Sequence, residues 1–386
     1  MNEQCQSVQE KKFIGMLCGI AIIAVLIGTL WPFNPFPPNR VSWLPGANGV
    51  RFSGPGLILS KASLTTTGAG PGRPCSLELL LAPGSIEGSF TILSFYSPSN
   101  PKQFLVRQWT DGLLVNHDIA DAQNKLRTTK FDVDHAFQQG KLVLLTIASG
   151  SGGTIVYLND RQAQAFPRFA ISQRQLSGQI VMGTSAVDYQ PWPGEIHGLA
   201  IYSKQLTAAE VSRHYANWIS ERRVNPPDLD GAIAYYAFTE GAGREIHDAV
   251  ASGPDLEIPD YFGIPHKAFL TSAVKEFQAS RLYVIDVLQN IAGFVPLGVI
   301  LCVYLSMTRT RRMAILYATL AGGMLSLVIE ILQAYIPQRV SGTTDIITNT
   351  LGSLLGAMLA QTSTVRTILE RMKSIGTSGN SVTRQN

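Results

Sequence analysis

The sequence predicts a multi-domain membrane protein: an N-terminal signal-anchor helix, a β-sandwich outer domain and a C-terminal three-helix transmembrane unit. Three observations carry this reading. Apolar residues make up 45% of the chain against 15% charged, and the apolar ones gather toward the two ends, the pattern of membrane segments flanking a soluble part. Four stretches near those ends are long and apolar enough to cross a bilayer. Between the first and second lies a long segment of short β-rich runs broken by Gly, Pro, Asn and Ser, which is how strands and turns read.

The first stretch, Phe13–Trp31, is uncharged and, at about 1.5 Å rise per residue, comes close to the ~30 Å hydrocarbon core. The others are Val287–Met307, Met313–Ile336 and Ile346–Val365. Lys11 and Lys12 precede the first stretch, Arg309, Arg311 and Arg312 join the second to the third, and Arg366, Arg371 and Lys373 follow the fourth. Basic loops stay in the cytoplasm. Both termini are therefore expected inside, with residues 32–285 and the short loop Pro337–Asp345 outside. Arg339 is then a lone basic residue in an outer loop, which suggests a local role. The first stretch is longer than a signal-peptide core, and Trp31 before Pro32 is a poor cleavage site. Leu17 before Cys18 does not suit a lipoprotein anchor either. The expected organisation is a cytoplasmic tail at 1–12, a helix at 13–31, the sandwich at 41–262, the three-helix unit at 281–361 and a second tail at 366–386.

Cys5 falls inside, Cys18 and Cys302 in spans, and Cys75 alone outside, so the outer domain has no disulfide to form and no CxxC metal knuckle. The net charge of +4 comes mostly from the cytoplasmic flanks, and no nucleic-acid partner is expected. The six histidines (117, 135, 197, 214, 247 and 266) are scattered through the outer segment without HxxxH or HExxH spacing. GxSxG, P-loop and Rossmann fingerprints are also missing from the sequence.

In the outer segment, Cys75–Leu81, Phe90–Tyr96, Lys141–Ile147 and Thr154–Leu158 are of strand length, and the turn signals between them predict a sandwich. Asn159-Asp160 reads as a hairpin turn. Gly194–Val211 reads as a strand followed by a helix, with Thr207 as N-cap and Glu210 as its capping-box partner. This segment resembles the closing part of laminin-G/concanavalin-A-like lectin domains, and Ala234–Asp248 resembles their opening strand. Here the opening strand comes last, so the jelly roll reads as permuted, with Asp228–Ile258 returning to complete a sheet. The resemblance implies binding of a cell-surface glycan. It also allows calcium in the β-sandwich, although no motif supports it and no cofactor or metal is expected. Trp109, Trp192 or Tyr189 would then be the stacking platform, with Asp118 or Asp188 near a metal and Glu78 and Glu195 as acids for hydrolysis. Large aromatics mostly serve cores, and core packing is the preferred reading for these.

Glu330 is the one charge inside the third stretch, and a carboxylate at the bilayer centre costs about 2.5–3.5 kcal/mol on insertion scales. Helical spacing puts Asp286, Asn290 and Gly293 on one face of the second stretch. Gly322, Ser326, Glu330 and Gln333 share a face of the third, and Asp345, Asn349, Gly352 and Gly356 a face of the fourth. Small residues allow close helix approach in lipid, and the polar ones are expected to face the bundle interior. The polar clusters all fall at the outer leaflet and predict one site opening outward. The same acids also fit a purely structural lock at helix N-termini, with Glu330 paired to Arg339.

Asp286-x3-Asn290-x5-Pro296-x-Gly298, then Ser326-x3-Glu330-x2-Gln333-x3-Pro337-x-Arg339, then Asp345-x3-Asn349-x2-Gly352-x3-Gly356 resembles the VanZ-like family. Pro35–Trp43 resembles the segment after the first span in such proteins. The resemblance implies a small module of the bacterial cytoplasmic membrane, linked in its founding example to low-level teicoplanin resistance; the large β insertion departs from the compact form. Asp286, Asn290, Glu330, Gln333, Arg339, Asp345 and Asn349 are the candidate residues for a headgroup or substrate. The leading expectation is an envelope protein that binds a membrane lipid or lipid-linked saccharide and, through the outer domain, a glycan or partner. One alternative is an enzyme on a lipid-linked envelope precursor, with Glu330 as general acid or base and Arg339 on a phosphate. Another is a scaffold whose stripes only pack helices.

Overall fold

The structure is a computed structural model that describes residues 2–65, 72–120, 126–220 and 229–362. Arg366, Arg371, Lys373, the tail at 366–386, residues 363–365 of the fourth stretch and Asp228 lie outside the described residues. The chain divides into two compact units. One joins Met1–Pro35 to Ala268–Asn386, and the other is Phe36–Lys267.

The second unit opens with β1 (Val41–Trp43), β2 (Val50–Phe52), β3 (Ile58–Ser60), β4 (Cys75–Pro83), β5 (Ser89–Ser97) and β6 (Asn100–Trp109). It continues with β7 (Gly112–Ala120), β8 (Leu126–Val133), β9 (Val143–Gly150), β10 (Gly153–Leu158), β11 (Arg161–Phe166), β12 (Gln179–Met182) and β13 (Gly194–Tyr202). Helix α2 (Ala208–Ser220) follows, then β14 (Ala232–Tyr236), β15 (Glu245–Ile246) and β16 (Leu256–Glu257). One sheet runs β1-β2-β13-β4-β9-β10-β11 with β14 also on β13; the other runs β15-β16-β3-β12-β5-β6-β7-β8. Every ladder is antiparallel. Alternating residues of both sheets, among them Leu77, Leu79, Phe95, Phe104, Val115 and Leu145, fill one core together with Trp192 from the segment before β13. This is the β-sandwich the turn signals predict. The returning segment serves both sheets: β14 pairs with β13, and β16 pairs with β3. Asn159 takes the predicted hairpin turn between β10 and β11 at φ 61°.

Thr207 and Glu210 cap α2 reciprocally. The Thr207 N–H donates to Glu210 Oε2 at 2.7 Å, and the Glu210 N–H donates to Thr207 Oγ1 at 3.3 Å, the two bonds of a capping box. Those bonds and the Lys204 ammonium hold the Glu210 carboxyl down to about 2.

His117 on β7 is buried edge-on to Phe169, and its Nδ1 has no hydrogen-bond partner among the described residues. Burial pushes the imidazole down to about 4, against an opposing pull from Asp118. The folded state therefore resists a proton that the unfolded chain takes up near pH 6.5. Stability is full above pH 6.5 and falls by up to about 3 kcal/mol as pH drops to 4. Melting temperatures of wild type and His117→Phe at pH 7.5 and 4.5 test this; the wild type is expected to lose clearly more on acidification. Parallel losses would show that other groups dominate.

The first unit contains α1 (Asn2–Leu30), α3 (Ala273–Glu276), α4 (Arg281–Ser306), α5 (Arg311–Ala334) and α6 (Thr343–Leu359). Val8–Leu30, Arg281–Ser306 and Arg311–Ala334 are long and apolar enough to cross a membrane. The fourth stretch read from sequence forms α6, 17 residues among those described, short of the roughly 20 of a full span. Helix α1 already runs from Asn2, so it extends through most of the region read as a tail. Leu320, Met324, Leu327 and Val328 of α5 and Leu351, Leu355 and Met358 of α6 are exposed, as a hydrocarbon-facing surface is. Bonds from Asn290 to Asp345 and from Gln361 to Cys302 show α4 and α6 running side by side in the same direction. A Cβ on Gly298, Gly352 or Gly356 would collide with the backbone of the facing helix, so glycine there sets how closely these helices approach.

Candidate functional site

The polar side chains of the bundle gather at the end where α5 turns into α6. Helix α6 starts at Gly342, which has no side chain to cap it, and the first N–H groups of any helix lack intrahelical partners. Two acids from elsewhere supply them. Glu330 Oε2 accepts from the Gly342 N–H at 2.8 Å. Glu276 Oε2 accepts from the Thr344 N–H at 3.0 Å and from its hydroxyl at 2.6 Å. Asp345 in the first turn accepts from Asn290 Nδ2 at 2.7 Å, and its carboxyl also feels Glu276, Glu330 and Arg339. The partial positive charge of the α6 N-terminus gives a physical reason for three acids to converge there. One turn further, Asn349 Nδ2 donates to Ser326 Oγ at 2.9 Å. Gln333 Nε2 and the Arg339 guanidinium both donate to the Thr29 carbonyl, at 2.9 and 2.7 Å, closing the last turn of α1. Two hollows flank this end. One of about 260 Å³ is lined by Glu276, Asp286, Thr344 and Asp345; the other, of about 410 Å³, lies between α1 and α4.

In the sandwich, the proposed glycan residues do not converge. Trp192 is fully buried, edge-on to Phe52, and donates to Gln108 Oε1 at 2.7 Å; it is core, as most large aromatics are. Tyr189 packs edge-on against Phe262. Trp109 is exposed at the β6–β7 turn. Asp118, near the opposite end of β7, accepts from the Thr128 hydroxyl, and half-buried Asp188 pairs with Lys102 at 2.9 Å. Glu78 is enclosed under α2, where Tyr202 Oη, Trp218 Nε1 and His214 Nδ1 all donate to it within 3.2 Å. Glu195 pairs with Arg51. Glu78 faces Ala200 while Glu195 faces Ala82, four residues along β4. That is roughly 14 Å, beyond the ~5–9.5 Å between paired carboxyls of glycosidases. Among the described residues no group of three or more His, Cys, Asp and Glu side chains is placed to hold a metal ion.

Comparison with family models matches residues 245–365 to VanZ/LLP1 and residues 59–212 to the concanavalin A-like lectin/glucanases superfamily. The chain thus carries a VanZ-like segment and a concanavalin A-like lectin segment. No curated protein matches it. Similar solved structures include a candidate carbohydrate binding protein from Bacteroides ovatus ATCC 8483, at 13% identity and TM-score 0.38, covering 56% of this chain and 62% of that one. Another is the native heptameric SAP-like pentraxin from Limulus polyphemus, at 15% identity and TM-score 0.34, covering 58% and 93%. A third is the ligand binding domain of botulinum neurotoxin serotype D in complex with N-acetylneuraminic acid, at 14% identity and TM-score 0.33, covering 46% and 44%. The chain thus spans less than two thirds of the first of these, and nothing about binding transfers at such identities.

Within the VanZ-like segment, the residues singled out from sequence divide into three groups. Asn290, Glu330 and Asp345 meet at the α6 N-terminus, and Asn349 sits one turn below them. Gln333 and Arg339 meet at the end of α1 instead, so Arg339 holds Thr29 and makes no ion pair with Glu330. Asp286 stands apart, exposed on the wall of the smaller hollow. Of the stripe expected on α4, only Asn290 reaches a neighbouring helix, through Asp345 of α6. Gly293 and Asp286 are exposed, and α4 buries Phe294, Leu297, Gly298 and Cys302. Gly293 borders the α1–α4 crevice and Asp286 the smaller hollow, because α1 packs beside α4 on that side. Glu276 and Thr29 were not foreseen. Glu276 lies in a single helical turn outside any apolar stretch, and Thr29 acts through its backbone carbonyl, which no side-chain pattern reveals.

Proposed function

We propose that this is an envelope membrane protein whose VanZ-like bundle holds the headgroup of a lipid or lipid-linked saccharide at its polar end. The lectin-like domain would engage a cell-surface glycan or an envelope partner. The observation that carries the first part is the gathering of Glu276, Glu330, Asp345, Asn290 and Asn349 at one end of an otherwise apolar bundle, beside two hollows. Ionisable and amide groups at membrane depth are costly and mark ligand sites more often than chance. Arg339, exposed at the rim, supplies a guanidinium that suits a phosphate. Basic clusters at the other ends of the helices support an outward-facing site with both termini in the cytoplasm. A role tied to envelope polysaccharide or glycopeptide resistance rests on the VanZ-like resemblance.

The test is native mass spectrometry of the full chain and Arg339→Ala, each purified in mild detergent. A specific phosphate-bearing lipid is expected with the wild type and at about tenfold lower occupancy in the variant, the scale of one charge-assisted hydrogen bond. Equal occupancy would remove Arg339 from the site; lipid-free protein in both samples would favour a purely structural cluster.

A further inference from the structure

The hollow between α1 and α4 has a direction. Contacts of Cys18 with Ile300 and of Gly15 with Tyr304 show the two helices running antiparallel, so Thr29 lies level with Gln289 and Ala21 level with Leu297. Thr29, Gln289, Asn290 and Asn349 therefore form one polar end, while the wall toward Ala21 and Leu297 is apolar over roughly 12 Å of helix. At about 410 Å³ the crevice is the size of a small-molecule site.

Two independent observations point to an occupant. Asn349 is only 4% exposed and lines the polar end; its Nδ2 is used by Ser326, while its Oδ1 has no partner among the described residues. A buried acceptor left without a donor is costly, and in hydrocarbon no water replaces it. The second observation concerns Gly28 and Gly293, which line the same crevice from opposite helices. A Cβ on either would meet nothing within 4 Å. The glycines at 298, 352 and 356 have a packing reason; these two have none among the described residues, although glycine weakens a helix relative to alanine. They keep open a space that the described residues do not fill.

We infer that the α1–α4 crevice takes one hydrocarbon chain of a membrane lipid whose headgroup presents a hydroxyl to Asn349 Oδ1. The inference rests on the headgroup reading above and extends it in two ways: it locates the chain, and it specifies a donor. An acceptor such as Oδ1 gains nothing from an unprotonated phosphate or a quaternary ammonium. It does gain from a sugar or glycerol hydroxyl. The amphipathic wall places the hydroxyl at the Asn349 end and the tail toward Leu297, as a lipid lying along the bundle would.

The test uses the full chain with two lipids of equal chains and equal charge: dioleoylphosphatidylglycerol, which carries hydroxyls, and dioleoylphosphatidylmethanol, which carries none. Native mass spectrometry of wild type, Gly28→Leu, Gly293→Leu and Arg339→Ala reads the bound lipid, and melting temperature reports folding. The wild type is expected to prefer the glycerol lipid by about tenfold, the scale of one hydrogen bond. Both leucine variants are expected to lose it without a lower melting temperature, since the added side chain enters open space. Equal binding of the two lipids overturns the hydroxyl assignment. Retention by both leucine variants overturns the crevice; if Arg339→Ala alone loses the lipid, the polar-end reading survives without it. No bound lipid in any sample overturns both.

Discussion

Glu78→Ala is expected to destabilise the lectin-like domain by about 3–5 kcal/mol, the scale of breaking a buried charged cluster. Glu78 is fully buried, and three donors from two other elements end on its carboxylate: Tyr202 from β13, and His214 and Trp218 from α2. Truncation removes the carboxylate on which all three converge, in a pocket otherwise closed by Leu80, Leu144, Tyr157 and Val211. Glu78→Gln keeps one oxygen as an acceptor and is expected to lose distinctly less. Thermal unfolding of the full chain in detergent, followed by tryptophan fluorescence, reads the difference directly, since Trp218 is one of the three partners. A Glu78→Ala protein that melts with the wild type would mean that the carboxylate contributes no net stability and that α2 is held by its apolar face alone.

Gly356→Leu is expected to cost the bundle at least about 3 kcal/mol, the upper part of the range for overpacking. The Cβ would overlap the Val295 carbonyl oxygen and crowd Val299. Because the obstacle is backbone, no rotamer change relieves it, and α4 and α6 must separate. Gly293→Leu, three residues before Pro296 on the same α4 helix, is expected to leave the melting temperature unchanged or raise it. The contrast between the two is the measurement. If both variants melt alike, close α4–α6 contact is not what holds the bundle together.

The lectin-like domain shows how legibility depends on the range of an interaction. The strands Cys75–Leu81 and Phe90–Tyr96, the turn at Asn159 and the capping box of Thr207 and Glu210 depend on residues close in sequence, and each is found where the sequence puts it. Trp192 and Trp109 could not be separated by such reasoning. The two have similar turn-rich neighbourhoods, yet one is core and the other exposed, and only the pairing of distant strands decides which. Glu78 was legible only as an acid within a strand. Its partners are Tyr202, His214 and Trp218, more than a hundred residues away, and the helix that brings two of them is positioned by tertiary packing.

The bundle repeats the lesson. Periodicity placed Glu330, Asn349 and Gly352 on buried faces because a helix repeats every 3.6 residues whatever surrounds it. It could not say that Glu330 would cap Gly342, that Arg339 would reach Thr29, or that Gly293 would border open space. By itself, then, the sequence determined three of the four apolar spans it suggested, the antiparallel sandwich, the two family resemblances and the polar residues involved. Those follow from local composition, spacing and turn chemistry. The tertiary structure alone decided which polar groups meet and which face a crevice, and it left one acceptor without a partner. A hydrogen bond extends only about 3 Å, so its partner is fixed by how separate helices and strands pack.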